Sequence, residues 1–473
     1  MASHRLSKST YIRSLQCQKS LYLHVKRPFL RDKISAEQLA KFRRGTDVGV
    51  LARDLYPGGY NMSPKSPSNF ALKRNETLTM LQQSHVKVLY EAVFEFDEVL
   101  IMLDILVRDG QGWKAIEVKS SKKLSNTYCM DAALQYYVLK GNGLKINSFG
   151  LMHINENYVF DGKLQLNELF TFVEVLPELE RLLQSTAQGI AKAKATLKLS
   201  KSPDISVGKH CFIPYTCDFL GHCWKNIPSA NLLQLRSLSH ETASKFFELG
   251  RYTIHDIRTE PEFENIHSAE VQAFEKKTLT TSAEGSQKIG MLNQAISRPL
   301  FVKILSMQPA LPTIPGTRPY QHQPIAISWD NGSKNSQSYE LNADGTMQAR
   351  ATLSELVEKH DLVITDDTQP LIAILHPELS NSQEKHTSTQ CVGIRQLIET
   401  LPLFHPEFGL DISFEKISKA LTNKSLTSEH WLMQDLIASN ELAQTKKILG
   451  KLEEYTDALK LVWAKITAIG TEN

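Results

Sequence analysis

The chain has 473 residues, 41% hydrophobic and 22% charged, and its 54 Lys and Arg against 51 Asp and Glu leave a net charge of +3. That is the make-up of a soluble globular protein long enough for about two to four domains, and it excludes a fibrous chain. No apolar run approaches the roughly 18 residues that span a bilayer, and the opening MASHRLSKST lacks the apolar core of a secretory signal, so no membrane association is expected. Six cysteines are too few and too unevenly placed for a disulfide scaffold. A reducing, cytoplasmic setting is therefore expected, where clustered cysteines more often mean metal or redox chemistry.

Charge is uneven along the chain. Residues 1–70 hold 13 Lys and Arg against four Asp and Glu, a net +9, which leaves −6 for the remainder. With Tyr11, Tyr22, Phe29, Phe42 and Tyr56 interleaved, this end has what a polyanion-binding face needs, and solvated helix faces would look the same.

In chain order, residues 8–24 and 36–56 read as helices, the second with Ser35 as N-cap and Leu39, Phe42, Val48 and Leu51 on one side. Residues 57–69 are a Pro-, Gly-, Ser- and Asn-rich loop. Strands follow at 86–95, 98–107 and 113–119, then a helix at 128–141, a strand at 147–154 and a long helical pattern at 164–200. A cysteine-rich segment at 209–224 precedes a stretch, 231–297, that reads as helical throughout. Within it, Phe246–Ile254 is similar to half of a helix-hairpin module. Strands near 300–306, 324–329 and 362–365 and helices at 351–359 and 428–468 return the pattern to α/β, with a proline-rich loop at 308–319 and a polar one at 378–390.

The stretch VLIMLDILVRDGQGWKAIEVKSSKK, from Val99 to Lys123, carries the chemistry. Asp109-Gly110-Gln111-Gly112 is a turn signature between two apolar runs. A two-residue loop at Gly110-Gln111 pairs residues whose numbers add to 221, and Asp104 and Glu117 satisfy this. They then sit opposite each other with Cβ atoms about 4.5–5.5 Å apart, and Lys119 lies on the same face. Two carboxylates that close ask for a divalent cation or a shared proton. A cation held by Asp104, Glu117 and the Val118 carbonyl would acidify a bound water and neutralise a phosphate oxygen, and Lys119 would stabilise the developing charge. A structural hairpin in which Lys119 merely pairs with the acids has the same pattern.

The order of these residues, from a basic helix through Glu91, Asp104 and Glu117-Val118-Lys119 to a helix with Asp131-Ala-Ala-Leu-Gln135-Tyr136-Tyr137, resembles the PD-(D/E)XK nuclease superfamily. Within it, the pattern resembles the RecB-type branch, which includes the CRISPR-associated exonucleases. The resemblance implies that Asp104 and Glu117 are metal ligands for Mg²⁺ or Mn²⁺, Lys119 the catalytic lysine and Gln135 the helix glutamine; Glu91 resembles an acid common on the preceding strand. Two departures stand out. Gly49 occupies the place of the usual first-motif histidine, and Leu139 that of a tyrosine for which Tyr136 or Tyr137 could substitute.

Cys211, Cys217 and Cys223 recur at even spacing in HCFIPYTCDFLGHCW, and Cys17 lies far upstream. The segment lacks the close cysteine pairs of zinc knuckles. One early cysteine plus three late ones resembles the iron–sulfur staple of the same branch, which implies a 4Fe–4S cluster on Cys17, Cys211, Cys217 and Cys223, with zinc or unrelated thiols as the alternatives.

As a whole the chain resembles an uncharacterised bacterial family. Its implied architecture is α/β: a PD-(D/E)XK, restriction-endonuclease-like nuclease domain (1–228), a helical linker (229–297) and an RNase H-like, DEDD-type exonuclease domain (298–473). Residues 315–321 (PGTRPYQ), 405–409 (HPEFG) and 454–458 (EYTDA) carry the second resemblance. Two-metal chemistry needs carboxylates on the first strand. That strand offers Lys303 and Ser306, no acid occurs from Arg298 to Ser328, Gln396 stands where an Asp is expected, and Asp457 is left alone, so this domain is expected to be a degenerate exonuclease fold kept for binding or assembly, through which protein partners would dock; the alternative is a domain that never was an exonuclease. The resulting expectation is a cytoplasmic, metal-dependent DNA nuclease acting on single-stranded or duplex ends in repair, recombination or antiviral defence. The alternative is a non-catalytic nucleic-acid-binding scaffold with a relic site.

Overall fold

In a computed structural model, which describes residues 6–34, 36–331, 337–340, 345–375, 391–408, 412–429, 432–433 and 442–469, the chain divides into two units. The first comprises Met1–Lys225 with Ala310–Tyr320, the second Asn226–Pro309 with Gln321–Asn473. Both are α/β with mixed sheets.

The first unit begins with β1 (Leu6–Ser7), α1 (Lys8–Gln16), α2 (Gln18–Lys26), α3 (Ala36–Ala52), β2 (Tyr60–Asn61) and α4 (Phe70–Leu81). Then come β3 (Val88–Phe96), β4 (Val99–Asp109), β5 (Gly112–Lys119), α5 (Asn126–Gly141), β6 (Ile146–Ile154), α6 (Leu166–Leu169), β7 (Phe170–Glu174), α7 (Leu176–Lys198) and α8 (Leu220–Cys223). The sheet runs β2-β3-β4-β5-β6-β7, antiparallel from β3 to β5, parallel between β5 and β6, and antiparallel again to β7.

Asp97 and Glu98, both at positive φ, make the β3–β4 turn without the Gly or Asn that would signal it in sequence. The β4–β5 hairpin pairs Ile105 with Ile116 and Asp109 with Gly112, the register that adds to 221. Because side chains alternate along a strand, Phe94, Leu106 and Phe149 pack on one side against Tyr11, Leu134 and Ile190 of α1, α5 and α7. Ile105, Ile116 and Met152 pack on the other against Val48 and Ala52 of α3.

Several sequence expectations change. The run 8–24 is two helices, because Cys17 is extended; its N–H donates to the Arg13 carbonyl (2.9 Å), and its carbonyl accepts from the Leu21 N–H (3.1 Å). Only the last turns of α3 are buried, since Leu39 and Phe42 are exposed, and Ser35 lies outside the described residues. The pattern at 164–200 contains β7, whose residues pair with the edge of β6. Tyr11 and Tyr22 are core residues rather than part of a polyanion face, whereas Phe29 is 76% exposed.

The second unit contains α9 (His240–Glu248), α10 (Ser268–Lys276), β8 (Thr280–Thr281), α11 (Ala283–Ala295), β9 (Pro299–Met307), β10 (Gln323–Asp330) and β11 (Gln337–Glu340). It continues with α12 (Gly345–Glu358), β12 (Leu362–Thr365), α13 (Thr368–Leu375), β13 (Cys391–Gly393), α14 (Ile394–Thr400), β14 (Leu403–Phe404), α15 (Phe414–Thr422) and α16 (Leu442–Ile469). Residues 231–297 are not helical throughout, because β8 pairs antiparallel with β14. The sheet order is β11-β10-β9-β12-β13; β10 is antiparallel to both neighbours, while β9, β12 and β13 are parallel. Leu300, Val302 and Ile304 face one core and Phe301 and Leu305 the other. The polar loop expected at 378–390 and part of the helix expected at 428–468 lie outside the described residues. Among the described residues no helix is long and apolar enough to cross a membrane.

Candidate functional site

The acidic hairpin owes its environment to the way β4 changes partners. Along one edge β4 pairs with β5 from Ile105 onward, and with β1 at Val99 and Leu100. Asp104 lies in the interval between these partners. Since β1 runs directly into α1, Lys8 at the start of that helix reaches the same spot; Ser7 caps α1 through a reciprocal pair of bonds with Thr10.

Glu117 is 3% exposed. Lys8 Nζ donates to both of its carboxylate oxygens, at 3.0 and 3.1 Å, and Lys119 Nζ to one, at 2.7 Å. Lys119 is held on its other side by Asp131 of α5, at 2.6 Å. Asp104 Oδ2 accepts the Val118 N–H at 2.6 Å. Glu91 stands opposite Asp104 in the β3–β4 register and pairs with Arg53 at 2.8 Å. Its φ of 51° is a left-handed conformation unfavourable for Glu, and such backbone strain concentrates at functional sites.

The charges are strongly coupled. Burial, and then the neighbouring Glu117, push Asp104 up to about 7. Burial would raise Glu117 too, but Lys119 and Lys8 hold it well below the usual carboxylate range. Burial works against the charge on Lys119, yet Glu117 and Asp131 hold its pKa above the ordinary lysine value. Burial raises Asp131, against the pull of Lys119.

A folded-state pKa raised above the unfolded value makes stability greatest below the ordinary carboxylate range and lowers it as pH climbs through about 7. In EDTA, the melting midpoint of the wild type should therefore fall relative to Asp104→Asn between about pH 5 and pH 8. Parallel curves for the two proteins would mean that Asp104 titrates normally.

Thus Asp104, Glu117, Lys119 and Gln135 come together, with Glu91 at the margin. Gln135 is fully buried and close enough to Glu117 to lower its pKa, but neither of its amide atoms makes a hydrogen bond of normal geometry. Asp131 Oδ1 is also buried without a partner. Unsatisfied polar atoms of this kind mark a place for a ligand or ordered water. The donor chemistry fits a divalent cation on Asp104 and Glu117, provided that Lys8 leaves Glu117. The Val118 contribution visible here is its N–H, not its carbonyl.

The hydroxyls of Tyr136 and Tyr137 donate to Glu180 and Asp97. A Cβ at Gly49 would meet nothing within 4 Å, so packing does not forbid a larger side chain there. Lys8, Arg53 and Asp131 were not singled out by motif spacing. Asp131, four residues before Gln135, shares its helix face and could have been found by that period. Lys8 had no local signal.

Cys17, Cys211, Cys217 and Cys223 line one small cavity of about 20 Å³, and burial raises the thiol pKa of Cys17, Cys211 and Cys223. Polar contacts bind α1 and the segment after α2 to the thiol-bearing loop. Arg13 and Arg31 each reach Asp218 at 2.7 Å, and Gln16 Nε2 donates to the carbonyls of His210 and Tyr215. Among the described residues no group of three or more His, Cys, Asp or Glu side chains is arranged to hold a metal ion. What the fold supplies is four thiols on one small cavity.

In the second unit Lys303 sits on the strand face that otherwise carries Phe301 and Leu305. It is 1% exposed, donating to Asp366 (2.6 Å) and Glu429 (3.0 Å) beneath the Tyr455 ring. Gln396 donates to Asp367 at 2.8 Å, and Asp457 is exposed. No protein-family model matches the chain, and no curated protein is significantly similar to it.

Proposed function

We propose that the first unit is a metal-dependent DNA nuclease of the PD-(D/E)XK type. The observation that carries the reading is the meeting of Asp104, Glu117, Lys119 and the unsatisfied Gln135 at one buried spot. The helix–three-strand meander–helix–parallel strand order of α4, β3, β4, β5, α5 and β6 supports it. A bound Mg²⁺ or Mn²⁺ would polarise a phosphodiester oxygen and acidify water. Asp104 and Glu117 would hold it. Lys119, fixed between Glu117 and Asp131, keeps its proton and presents a positive charge to the phosphate. Lys8, displaced from Glu117, is within reach to do the same.

Cys17, Cys211, Cys217 and Cys223 would hold a 4Fe–4S cluster that ties α1 to the end of the unit, with zinc as the alternative. Protein purified without oxygen should then be brown, with iron and sulfide present in near-equal amounts, and Cys17→Ala should lose the colour. Colourless protein carrying zinc would overturn the cluster.

The second unit is proposed as an RNase H-like fold without catalysis, kept for binding DNA or partner proteins. Its strand order, with the second strand antiparallel to the rest, supports the fold. The Lys303 ammonium stands between carboxylates where a two-metal site would need cations, which supports the loss of activity.

A second reading is a cytoplasmic scaffold that binds nucleic acid without cutting it. It is favoured by Lys8 and Lys119 already neutralising Glu117. Labelled single- and double-stranded DNA, incubated with the full chain and Mg²⁺ or Mn²⁺, separates the two. Cleavage supports the nuclease, and its absence in both metals supports the scaffold.

A further inference from the structure

In the first unit Tyr128 lies beside Lys119, and two tyrosines from other segments, Tyr215 and Tyr320, lie near Tyr128. Tyr128, in the first turn of α5, has its ring 5.2 Å from Lys119 Nζ. Tyr215, between Cys211 and Cys217, lies near Tyr128, Lys119 and Asp131, with its hydroxyl at Thr127, and is 49% exposed. Tyr320 lies near Tyr128 as well; its hydroxyl meets Arg44 and Ser120, and the Arg44 guanidinium is 5.6 Å from its ring centre. Tyr320 has a φ of 61°, a conformation that a bulky side chain rarely adopts, so its ring is held there against backbone preference.

Tyr11, Tyr22, Tyr90 and Tyr158 are buried, whereas Tyr128, Tyr215 and Tyr320 keep part of their surface in solvent. One half-exposed ring, Tyr215, and two partly exposed ones, Tyr128 and Tyr320, interspersed with Lys119 and Arg44, match a chain that alternates flat bases with phosphates. Aromatic faces stack on any base, and cations beside them follow the backbone. In a duplex the bases are already stacked on each other, so this arrangement selects unpaired ones.

We propose that Tyr128, Tyr215 and Tyr320 form a stacking subsite for the unpaired end of a single-stranded nucleic acid, leading its backbone past Arg44 to Lys119. This deepens the nuclease reading and rests on it for the direction of the strand. It also explains why part of the proline-rich loop belongs to the first unit: it delivers Tyr320. Phe160 N–H donates to the Thr317 carbonyl (3.0 Å), and Gly316 N–H donates to the Phe160 carbonyl (2.7 Å), which fixes the loop in place.

Binding of a fluorescein-labelled oligothymidylate to the full-length protein, followed by anisotropy in EDTA, tests the subsite without cleavage. The wild type should bind it more tightly than a blunt duplex or an oligomer of the same length with abasic residues at its end. Tyr215→Ala and Tyr320→Ala should each weaken binding roughly tenfold, while Tyr215→Phe and Tyr320→Phe keep it, because the ring rather than the hydroxyl stacks. Equal binding of the abasic and normal oligomers by the wild type overturns the proposal without any variant. So does wild-type affinity in both alanine variants.

The two readings fail separately. Ring-dependent binding in a protein that cuts nothing in Mg²⁺ or Mn²⁺ keeps the subsite and removes the nuclease. Cleavage that depends on Asp104, with binding indifferent to the rings, does the reverse.

Discussion

Replacing Asp104 by Asn is expected to lower metal-dependent DNA cleavage by about 10³-fold or more, with the protein still folded. Asn keeps the size of the side chain and an oxygen to accept the Val118 N–H, which Asp104 accepts at 2.6 Å. It removes the negative charge opposite Glu117, and with it half of the carboxylate pair that would hold the cation. A cation's contribution of several kcal/mol to the transition state corresponds to rate losses of this order. Lys119→Met should lose activity similarly while still binding Mn²⁺, since it removes a positive charge and no ligand. Single-turnover cleavage together with Mn²⁺ titration by calorimetry distinguishes the two variants. If both cut like the wild type, the assigned site is wrong.

Lys303→Ala is expected to destabilise the second unit by roughly 3–5 kcal/mol, because it strands the buried Asp366 carboxylate and leaves Glu429 without its cation. For a unit of this size that is on the order of 10 °C in melting midpoint. The cost lies in the unpaired charges rather than in the loss of a lysine. Changing all three together, Lys303→Met with Asp366→Asn and Glu429→Gln, should therefore recover most of the stability. Thermal and urea unfolding of both proteins checks this. A single variant that melts like the wild type would mean that water reaches the carboxylates. Cleavage by the first unit should be unaffected in either variant that remains folded.

Local pattern determined more of the candidate site than of its surroundings. The turn and the hairpin register are written in the run from Val99 to Lys119, and the strands pair in that register from Ile105–Ile116 to Asp109–Gly112, which brings Asp104 close to Glu117. Three strands of the second unit, β9, β10 and β12, were equally legible, as was the absence of acids on β9; the short strands β8, β11, β13 and β14 were not, because two to four residues are too few to show alternation.

Tertiary structure decided what local pattern could not carry. Lys8 reaches Glu117 only because β1 docks beside β4, a pairing of residues more than ninety positions apart that leaves no trace in either segment. Cys17 interrupts a helix that its own neighbours would continue, and it lies on the cavity formed with residues about two hundred positions away. The buried face of α3 was misjudged because periodicity shows which residues share a side, not how far along the helix a neighbour covers it. Tyr320 lies in the C-terminal half of the sequence, yet it belongs to the first unit, its loop joined to Phe160 by backbone hydrogen bonds. Turns and alternation act between residues close in sequence, so one chain displays them; long-range pairing follows from which surfaces are left to bury, and only the folded molecule settles that.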